Sequence, residues 1–375
     1  MQNTTECCRT FIRIHELIDD KKCFETIREF RWPGEVLCPH CTSNKVIKHG
    51  YKKKQPYCRK YRCKKCGYCF DDLADTVPCG HHQPLRTWIL CLYLMGLNLS
   101  NLQIAQELDL NKDDCQKMTS LLRNGINAKK PLARLSEEVE CDEVYTIAVH
   151  EGHPEVVKSL GRKGRRNRLK GARGRGTLEK EKPPIFGMIQ RGGEVVIRML
   201  ENVKQKTIEP LIKSTIAAGS RVFTDEYDIY FRLPQWGYQH KTVCHGMGEY
   251  ARDDDGDGFH EVHVNTIESF WSLLRSWLRP HRGISQEKLP AYLGFFEYVH
   301  NVRRRGKAVL GPYSPPYWHN NPKRILSLSE NLYLRICTEY AYGAGWGKVY
   351  QLTPKPIYCL LSRVLGWHLV VYLQK

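Results

Sequence analysis

The sequence predicts an α/β protein in which two small N-terminal modules precede a mixed sheet with flanking helices. Residues 38–66 contain two close pairs of cysteines, and residues 85–126 have the apolar periodicity of consecutive helices. Residues 138–224 alternate between strand and helix patterns. We therefore expect an N-terminal segment, a helical region, an α/β domain and a C-terminal extension, with the bounds 1–83, 84–130, 136–310 and 311–375.

The composition indicates a protein that binds a polyanion. The chain has 58 Lys and Arg against 40 Asp and Glu, a formal net charge of +18, and nucleic acid is the first candidate partner. The first residues are polar, and the longest apolar stretches are too short or too charged to span a bilayer. We expect a soluble, cytoplasmic protein that does not contact membranes and keeps its 16 cysteines reduced.

Two Cys-x-x-Cys pairs, separated by the 21 residues 42–62, predict a structural zinc site. Four thiolates at this spacing are typical ligands of tetrahedral Zn²⁺, whereas a pair of redox thiols is the alternative. We expect a zinc ribbon over residues 36–70, with a basic hairpin that can touch a phosphate backbone. The expected ligands are Cys38, Cys41, Cys63 and Cys66. Three neighbouring cysteines are expected to be structural: Cys58, Cys69 and Cys79.

Residues 85–126 predict three helices, of which the last two form a helix-turn-helix. In residues 100–108 we expect one apolar face, formed by Leu102, Ile104, Ala105 and Leu108. After a turn at 109–111, a second and more polar helix begins. This helix would offer DNA the side chains of Lys112, Gln116, Lys117 and Arg123. A plain helical hairpin packed in a core is the alternative.

The second half of the chain reads as strand, basic loop, hairpin, helix and strand. The predicted strands are 138–149, 184–190, 195–200 and 221–224, and the helix is 207–218. This order resembles the ribonuclease H-like fold, in which neighbouring strand ends bring two carboxylates together. The glycine-rich segment 158–182 is expected to order on a phosphate backbone, with a solvated tract as the alternative. Its expected DNA contacts are Lys163, Arg165, Arg166, Arg168 and Lys170.

Three acidic residues predict a divalent-metal site. Asp142 and Asp225 each lie at a strand, and Glu268 lies in the first turn of a helix predicted to begin at Asn265. Clustered carboxylates repel one another unless a cation neutralises them, and oxygen ligands select Mg²⁺ or Mn²⁺. A pair of such ions is the usual device for displacement at phosphorus. The sequence therefore predicts a two-ion site for cutting and joining phosphodiesters.

The predicted catalytic helix contains two further candidates. Arg275 lies about two turns after Glu268 on nearly the same face, so it could reach phosphate. Asn265 is the alternative third ligand, although a carboxylate brings charge as well as an oxygen atom. The segment 253–258 has a partial calcium-loop pattern, but Val264 stands where the bidentate acid belongs, so we expect an acidic loop.

Taken together, these motifs resemble the DDE transposases of bacterial and archaeal insertion sequences, in the ISXO-type subgroup with an N-terminal zinc ribbon. The resemblance covers about residues 31–310 and includes the two cysteine pairs, Asp-Glu-Val-Tyr at 142–145, Thr-Asp-Glu-Tyr at 224–227, the segment 263–275 and Asn-Val-Arg-Arg at 301–304. It implies a ribonuclease H-like domain whose catalytic acids are Asp142, Asp225 and Glu268, followed by a basic residue at Arg275.

The resemblance implies metal-dependent cleavage of element ends and strand transfer into target DNA by a homo-oligomer. A structure-specific nuclease or resolvase on the same fold, and a zinc-ribbon DNA-binding regulator without catalysis, are the alternatives. Beyond residue 310 the chain departs from the family pattern, and we interpret 311–375 as a frame-shifted or read-through extension. The repeat and target sequences, the transposition pathway and the activity of this copy are not encoded in these motifs.

Overall fold

A computed structural model describes residues 18–148, 154–159, 178, 181–281 and 283–305. The chain divides between Gly125 and Ile126 into two compact units, called here the N-terminal and C-terminal units. The interpretation of 311–375 and the five predicted DNA contacts at Lys163, Arg165, Arg166, Arg168 and Lys170 lie outside the described residues.

The N-terminal unit begins with a helix packed beside a small antiparallel sheet. Helix α1 (Asp20–Arg31) starts at Asp19, whose carboxylate accepts a hydrogen bond from the backbone N–H of Lys21. Strands β1 (Val46–Lys52), β2 (Gln55–Cys63) and β3 (Cys69–Asp71) form a sheet in the order β1-β2-β3. Arg28 of α1 donates to the buried carboxylate of Asp72 at 2.8 Å, which fixes the helix against the sheet.

Three helices complete the N-terminal side: α2 (Leu85–Gly96), α3 (Asn101–Leu108) and α4 (Lys112–Lys129). A reciprocal pair of hydrogen bonds between Ser100 and Gln103 caps α3, and Asp109 ends it in a left-handed conformation. The predicted apolar face of α3 is wrong at one residue, because Leu102 is more than half exposed. It lies two residues, about 200° of rotation, from buried Ile104, so the two cannot share a face.

The C-terminal unit contains a five-stranded mixed sheet with the order β6-β5-β4-β7-β8. The bounds are β4 (Glu138–Tyr145), β5 (Pro184–Gln190), β6 (Val195–Met199), β7 (Arg221–Thr224) and β8 (Gln239–Thr242). Strands β4, β5 and β6 pair antiparallel, whereas β4, β7 and β8 run parallel. The mixed α/β architecture predicted from the sequence is confirmed.

Helices cover both faces of this sheet. On one face, α6 (Gln205–Thr215) packs Ile208 and Ile212 against Val139 and Cys141 of β4. On the other, α7 (Asn265–Leu278) lies on β4 and β5. Helix α8 (Leu289–Arg305) lies along the edge strand β6, where Asn301 accepts a hydrogen bond from the backbone N–H of Val195. The remaining short elements are α5 (Pro154–Ser159), β9 (Ala251–Arg252) and β10 (Val262–His263).

Two predicted boundaries in this unit were too long. Strand β4 ends at Tyr145 and not at residue 149. Helix α6 ends at Thr215 and not at residue 218, because Ile216 is extended and pairs with Leu135 in an isolated parallel bridge. Among the described residues, every helix is too short or too polar to cross a lipid bilayer.

Candidate active site and zinc site

The four cysteines of the two predicted pairs converge in the N-terminal unit. Their sulfur atoms all lie within 4.8 Å of one another. The Sγ atoms of Cys38 and Cys66 are 3.7 Å apart, and those of Cys41 and Cys63 are 3.6 Å apart. Tetrahedral Zn²⁺ with Zn–S bonds of about 2.3 Å requires S–S separations of about 3.8 Å, so the cluster has the size of a zinc site.

Backbone amides of the second pair favour the thiolate form that zinc requires. Burial raises the pKa of the Cys63 thiol, but the backbone N–H groups of Cys66 and Lys65 and the neighbouring thiols lower it more, to about 6. Three other cysteines lie outside the cluster, as predicted: Cys58, Cys69 and Cys79.

Asp142 and Asp225 lie toward the same edge of the sheet in the C-terminal unit. Strand β4 pairs parallel with β7, with Glu140 opposite Phe223. Extending this register by two residues sets Asp142 opposite Asp225, just past the end of β7. Because β4 and β7 run parallel, both acids lie toward the same edge of the sheet.

Asp142 is strongly desolvated. Burial is the largest cause that raises its pKa, to about 6. The negative charges of Asp225 and Glu268 raise this pKa further, while a hydrogen bond from the Trp271 indole N–H to its Oδ2, at 2.9 Å, lowers it. Asp225 and Glu268 therefore both lie within electrostatic reach of Asp142, whose ionised form is unfavourable without a counter-charge.

A glycine on the neighbouring strand allows the Trp271 contact. Gly187 of β5 pairs with Asp142, and the six-membered edge of the Trp271 indole lies directly over its Cα. A Cβ at Gly187 would collide with this ring. The absent side chain therefore lets the indole pack closely against β5 and reach the carboxylate. Trp271 and Leu274 are both buried in the core.

The N-terminus of α7, which carries Glu268, is attached to β4 by Glu140. The backbone N–H of Ile267 donates to Glu140 Oε2 at 2.9 Å. Side chains alternate along a strand, so Glu140 and Asp142 lie on the same face of β4, toward α7. The helix begins at Asn265, as predicted, and Glu268 is exposed in its first turn. Its negative charge acts on Asp142.

Arg191, in the turn between β5 and β6, holds this arrangement together. Its guanidinium donates to Glu140 Oε1 at 2.8 Å and to the backbone carbonyls of Glu261 and His263, both at 2.8 Å. It also stacks on the Phe223 ring at 3.9 Å. One planar group thus connects β4, β7 and the segment that leads into α7.

A second acidic group lies in the predicted acidic loop. Among the described residues, the groups of three or more ligand side chains with atoms within 4.8 Å of one another are the cysteine cluster and Asp253, Asp255 and Glu261. The backbone N–H groups of Gly256 and Gly258 donate to Asp253, so this loop is also organised without an ion. The carboxylates of Asp142, Asp225 and Glu268 are more widely spaced than this limit.

The predicted DNA-binding face of α4 needs one correction. Lys112, Gln116 and Lys117 are exposed, but Arg123 is only 2% exposed. It lies eight residues after buried Cys115, within the stripe that faces the core, so it is not available to DNA on this surface.

Sequence reasoning missed three residues that organise the acids: Glu140, Gly187 and Arg191. Only Glu140 had a local signal, because it is a charged residue inside an apolar strand pattern. The roles of Gly187 and Arg191 depend on contacts with residues more than 50 positions away.

Comparison with known proteins identifies this arrangement. Residues 134–301 match the ISXO2-like transposase domain, and residues 18–69 match the transposase zinc-ribbon domain. The chain is 32% identical over 302 residues to a protein of Halobacterium salinarum described as an uncharacterized protein in transposable element ISH50. That match covers 79% of this chain and 96% of its relative.

The chain belongs to the ISXO2-like transposases. The resemblance predicted from the motifs is confirmed, and DNA binding and DNA cleavage follow from membership of this family. The zinc-ribbon match and the cysteine cluster together assign structural Zn²⁺ to the N-terminal unit.

Among solved structures, the chain is similar to the simian T-cell lymphotropic virus intasome in complex with PP2A regulatory subunit B56 gamma. It shares 8% identity, covers 55% of this chain and 67% of that chain, and has a TM-score of 0.24. At this TM-score the likeness supports no conclusion about the fold of this chain.

Replacing Cys63 by Ser should release zinc and unfold the ribbon, because zinc binding supplies about 10–16 kcal/mol to small zinc folds. Zinc content by atomic absorption and thermal unfolding by circular dichroism measure the effect. Cys69→Ser is the matched control, since Cys69 is exposed and outside the cluster, and it should retain zinc. A Cys63→Ser protein that still binds one zinc ion per chain would contradict the assignment.

Replacing Arg191 by Lys should slow DNA cleavage by roughly 10²-fold while DNA affinity is retained, because an ammonium group cannot make all the contacts of the planar guanidinium. The control is Arg198→Lys, which alters the ion pair between Arg198 on β6 and Glu297 on α8. If both variants lose equal thermal stability and both cleave normally, Arg191 has no role in positioning the acids.

Proposed function

We propose that this transposase cuts the ends of its element and joins them to target DNA with Mg²⁺ or Mn²⁺ held by Asp142, Asp225 and Glu268. The observation that supports the proposal is the parallel pairing of β4 with β7, which directs Asp142 and Asp225 to one edge of the sheet, and the contact of β4 with the helix that bears Glu268. The charges of Asp225 and Glu268 both act on Asp142, which supports a shared site.

The donor set suits hard divalent cations. All three side chains offer carboxylate oxygens, and burial makes the ionised form of Asp142 unfavourable without a counter-charge. Bound ions would activate the attacking oxygen and stabilise the leaving oxygen.

Glu268 is the better candidate for the third ligand than Asn265. Its negative charge contributes to the raised pKa of Asp142, so it lies within range of the other acids. Asn265 is the exposed first residue of α7, and its backbone N–H is directed to His263 Nδ1. An amide would also leave the site with one negative charge fewer to bind cations.

We also propose that the C-terminal unit has the ribonuclease H-like fold. The strand order β6-β5-β4-β7-β8, antiparallel on one side of β4 and parallel on the other, supports this proposal. In this fold, Asp142 lies on the central strand β4 and Asp225 directly follows its parallel neighbour β7. Both acids then lie toward the same edge of the sheet.

Arg275 continues the proposed site along the exposed side of α7. Glu268, Ser272, Arg275 and Arg279 follow one another at intervals of four, three and four residues and are all exposed. The small Ser272 separates the acid from the two cations. We propose that a DNA phosphate next to the scissile one contacts Arg275 along this stripe.

For DNA binding, we propose that α3 and α4 form a helix-turn-helix and that the ribbon hairpin contacts the backbone. The exposed Lys112, Gln116 and Lys117 support the first part. For the hairpin, the support is the exposed lysines at its β1–β2 turn, Lys53 and Lys54. We further propose a homo-oligomer, because two element ends must be joined in one reaction.

Asp142→Asn should abolish cleavage and strand transfer in Mg²⁺ while DNA binding is retained. The substrate is duplex DNA carrying the terminal repeats that flank the coding sequence, and denaturing gels separate cut from joined products. Asp228→Asn, at an exposed acid of the same unit, is the control and should cut normally. Normal cleavage by Asp142→Asn would contradict the proposal.

The same substitution should stabilise the metal-free protein at pH 7.5. The pKa of Asp142 in the folded state, about 6, lies above its ordinary value of 3.8, so ionisation favours the unfolded chain. This penalty is nearly complete above pH 7, decreases as pH falls through 6 and disappears only below the ordinary pKa of 3.8. Thermal unfolding should show Asp142→Asn more stable than wild type by up to ~3 kcal/mol at pH 7.5, with the difference lost below that pKa.

A further inference from the structure

The loop 244–250, called here the Met247 loop, presents two large apolar side chains to solvent. It connects β8 to β9 in the C-terminal unit. Met247 is 82% exposed and Tyr250 is 63% exposed. A single exposed apolar residue is common on protein surfaces, but two within four residues of a short loop indicate a contact surface for a ligand.

The loop is held in one conformation. The carboxylate of Glu226 accepts hydrogen bonds from the backbone N–H groups of His245 and Gly246, at 2.9 and 3.0 Å. The carboxylate of Glu249 accepts one from the backbone N–H of Cys244 at 3.0 Å, and Arg252 donates to Glu249 at 2.9 Å. Met247 and Tyr250 are thus exposed on an ordered turn.

The same contacts set the loop beside the proposed catalytic acids. Glu226, its anchor, directly follows Asp225. The Nδ1 atom of His245 is 3.9 Å from Glu268 Oε1, and the His245 ring lies 5.3 Å from the ring of Tyr250. A DNA strand positioned for cleavage between these acids would pass next to the loop.

The charges around the loop do not favour phosphate. Residues 243–251 include no Lys or Arg. The flanking cations are already paired with acids: Lys241 with Asp254 at 2.7 Å, and Arg252 with Glu249 and Asp254. What remains for contact is a thioether, a phenol ring and an imidazole, which match the flat apolar face of a nucleobase.

We infer that Met247 and Tyr250 contact the face of a nucleobase that has left the stack next to the cleaved phosphodiester. This inference rests on the proposed function. The base faces of an intact duplex are covered by their neighbours, so this contact requires at least one base to unstack, and the loop would stabilise the unstacked base. Preorganisation by Glu226 and Glu249 keeps the ordering cost of binding low.

The test uses end duplexes with 2-aminopurine at the positions flanking the cut, bound by the full chain in the Asp142→Asn background so that the DNA stays intact. We expect 2-aminopurine fluorescence to rise on binding, and the rise to be lost when Met247→Ser and Tyr250→Ser are added. In the wild-type background this double variant should cleave on the order of tenfold more slowly, as expected for one lost stacking contact. A mismatch that unpairs the same base should restore the rate.

The matched control is Phe259→Ser, an aromatic residue 65% exposed in the acidic loop. It should alter neither fluorescence nor rate. If the double variant gives the wild-type fluorescence rise and rate, the inference is wrong while the proposed function stands. If it loses self-association and keeps the fluorescence rise, the loop contacts another protein chain, which also overturns the inference. Failure of Asp142→Asn to block cleavage would instead refute the proposed function.

Discussion

The buried ion pair between Arg191 and Glu140 is the interaction on which the arrangement of the acids depends. Burying charges is unfavourable unless nearly every donor and acceptor has a partner. Here Glu140 is fully buried, and its two oxygens accept from Arg191 and from the N-terminus of α7. Arg191 also donates hydrogen bonds to the backbone of the segment before α7. The direction in which the Glu268 side chain points from α7 therefore depends on this ion pair.

Electrostatic repulsion between the acids explains why other contacts must fix their positions. Like charges that approach one another raise each other's pKa and favour separation. A cluster that is unfavourable while ionised keeps its geometry only if the surrounding structure fixes it, and here the β4–β7 pairing, the Trp271 indole and the Glu140 contact provide that constraint. The energy stored against repulsion becomes available when cations bind, which favours loading of the site.

Local patterns were sufficient to predict much of the fold. The bounds of β5 and β7, the first residue of α7 and the cysteine cluster agree with the sequence, because turn residues, apolar runs and ligand spacing are encoded over short stretches. Errors occurred where tertiary packing decides. Arg123 is buried in the core and Leu102 is exposed. The sequence pattern of a single helix is compatible with either orientation of these side chains.

The contacts that support the acids could not be predicted from the sequence. Trp271 donates to Asp142 across 129 positions, and Arg191 reaches His263 across 72. Such pairs depend on how β4, β5 and α7 come together, and neither an indole in a helix nor an arginine in a hairpin turn carries a local signal of its partner. The three candidate acids, in contrast, were proposed from local signals, because each lies at a predicted strand or in the first turn of a predicted helix.

The most direct test of the metal site is anomalous scattering at the manganese absorption edge, measured on crystals of the full chain grown with Mn²⁺. Two peaks about 3.5–4 Å apart should lie beside Asp142, with Asp225 and Glu268 as the other ligands. Peaks confined to the loop of Asp253, Asp255 and Glu261, with none near Asp142 when end DNA is bound, would contradict the account.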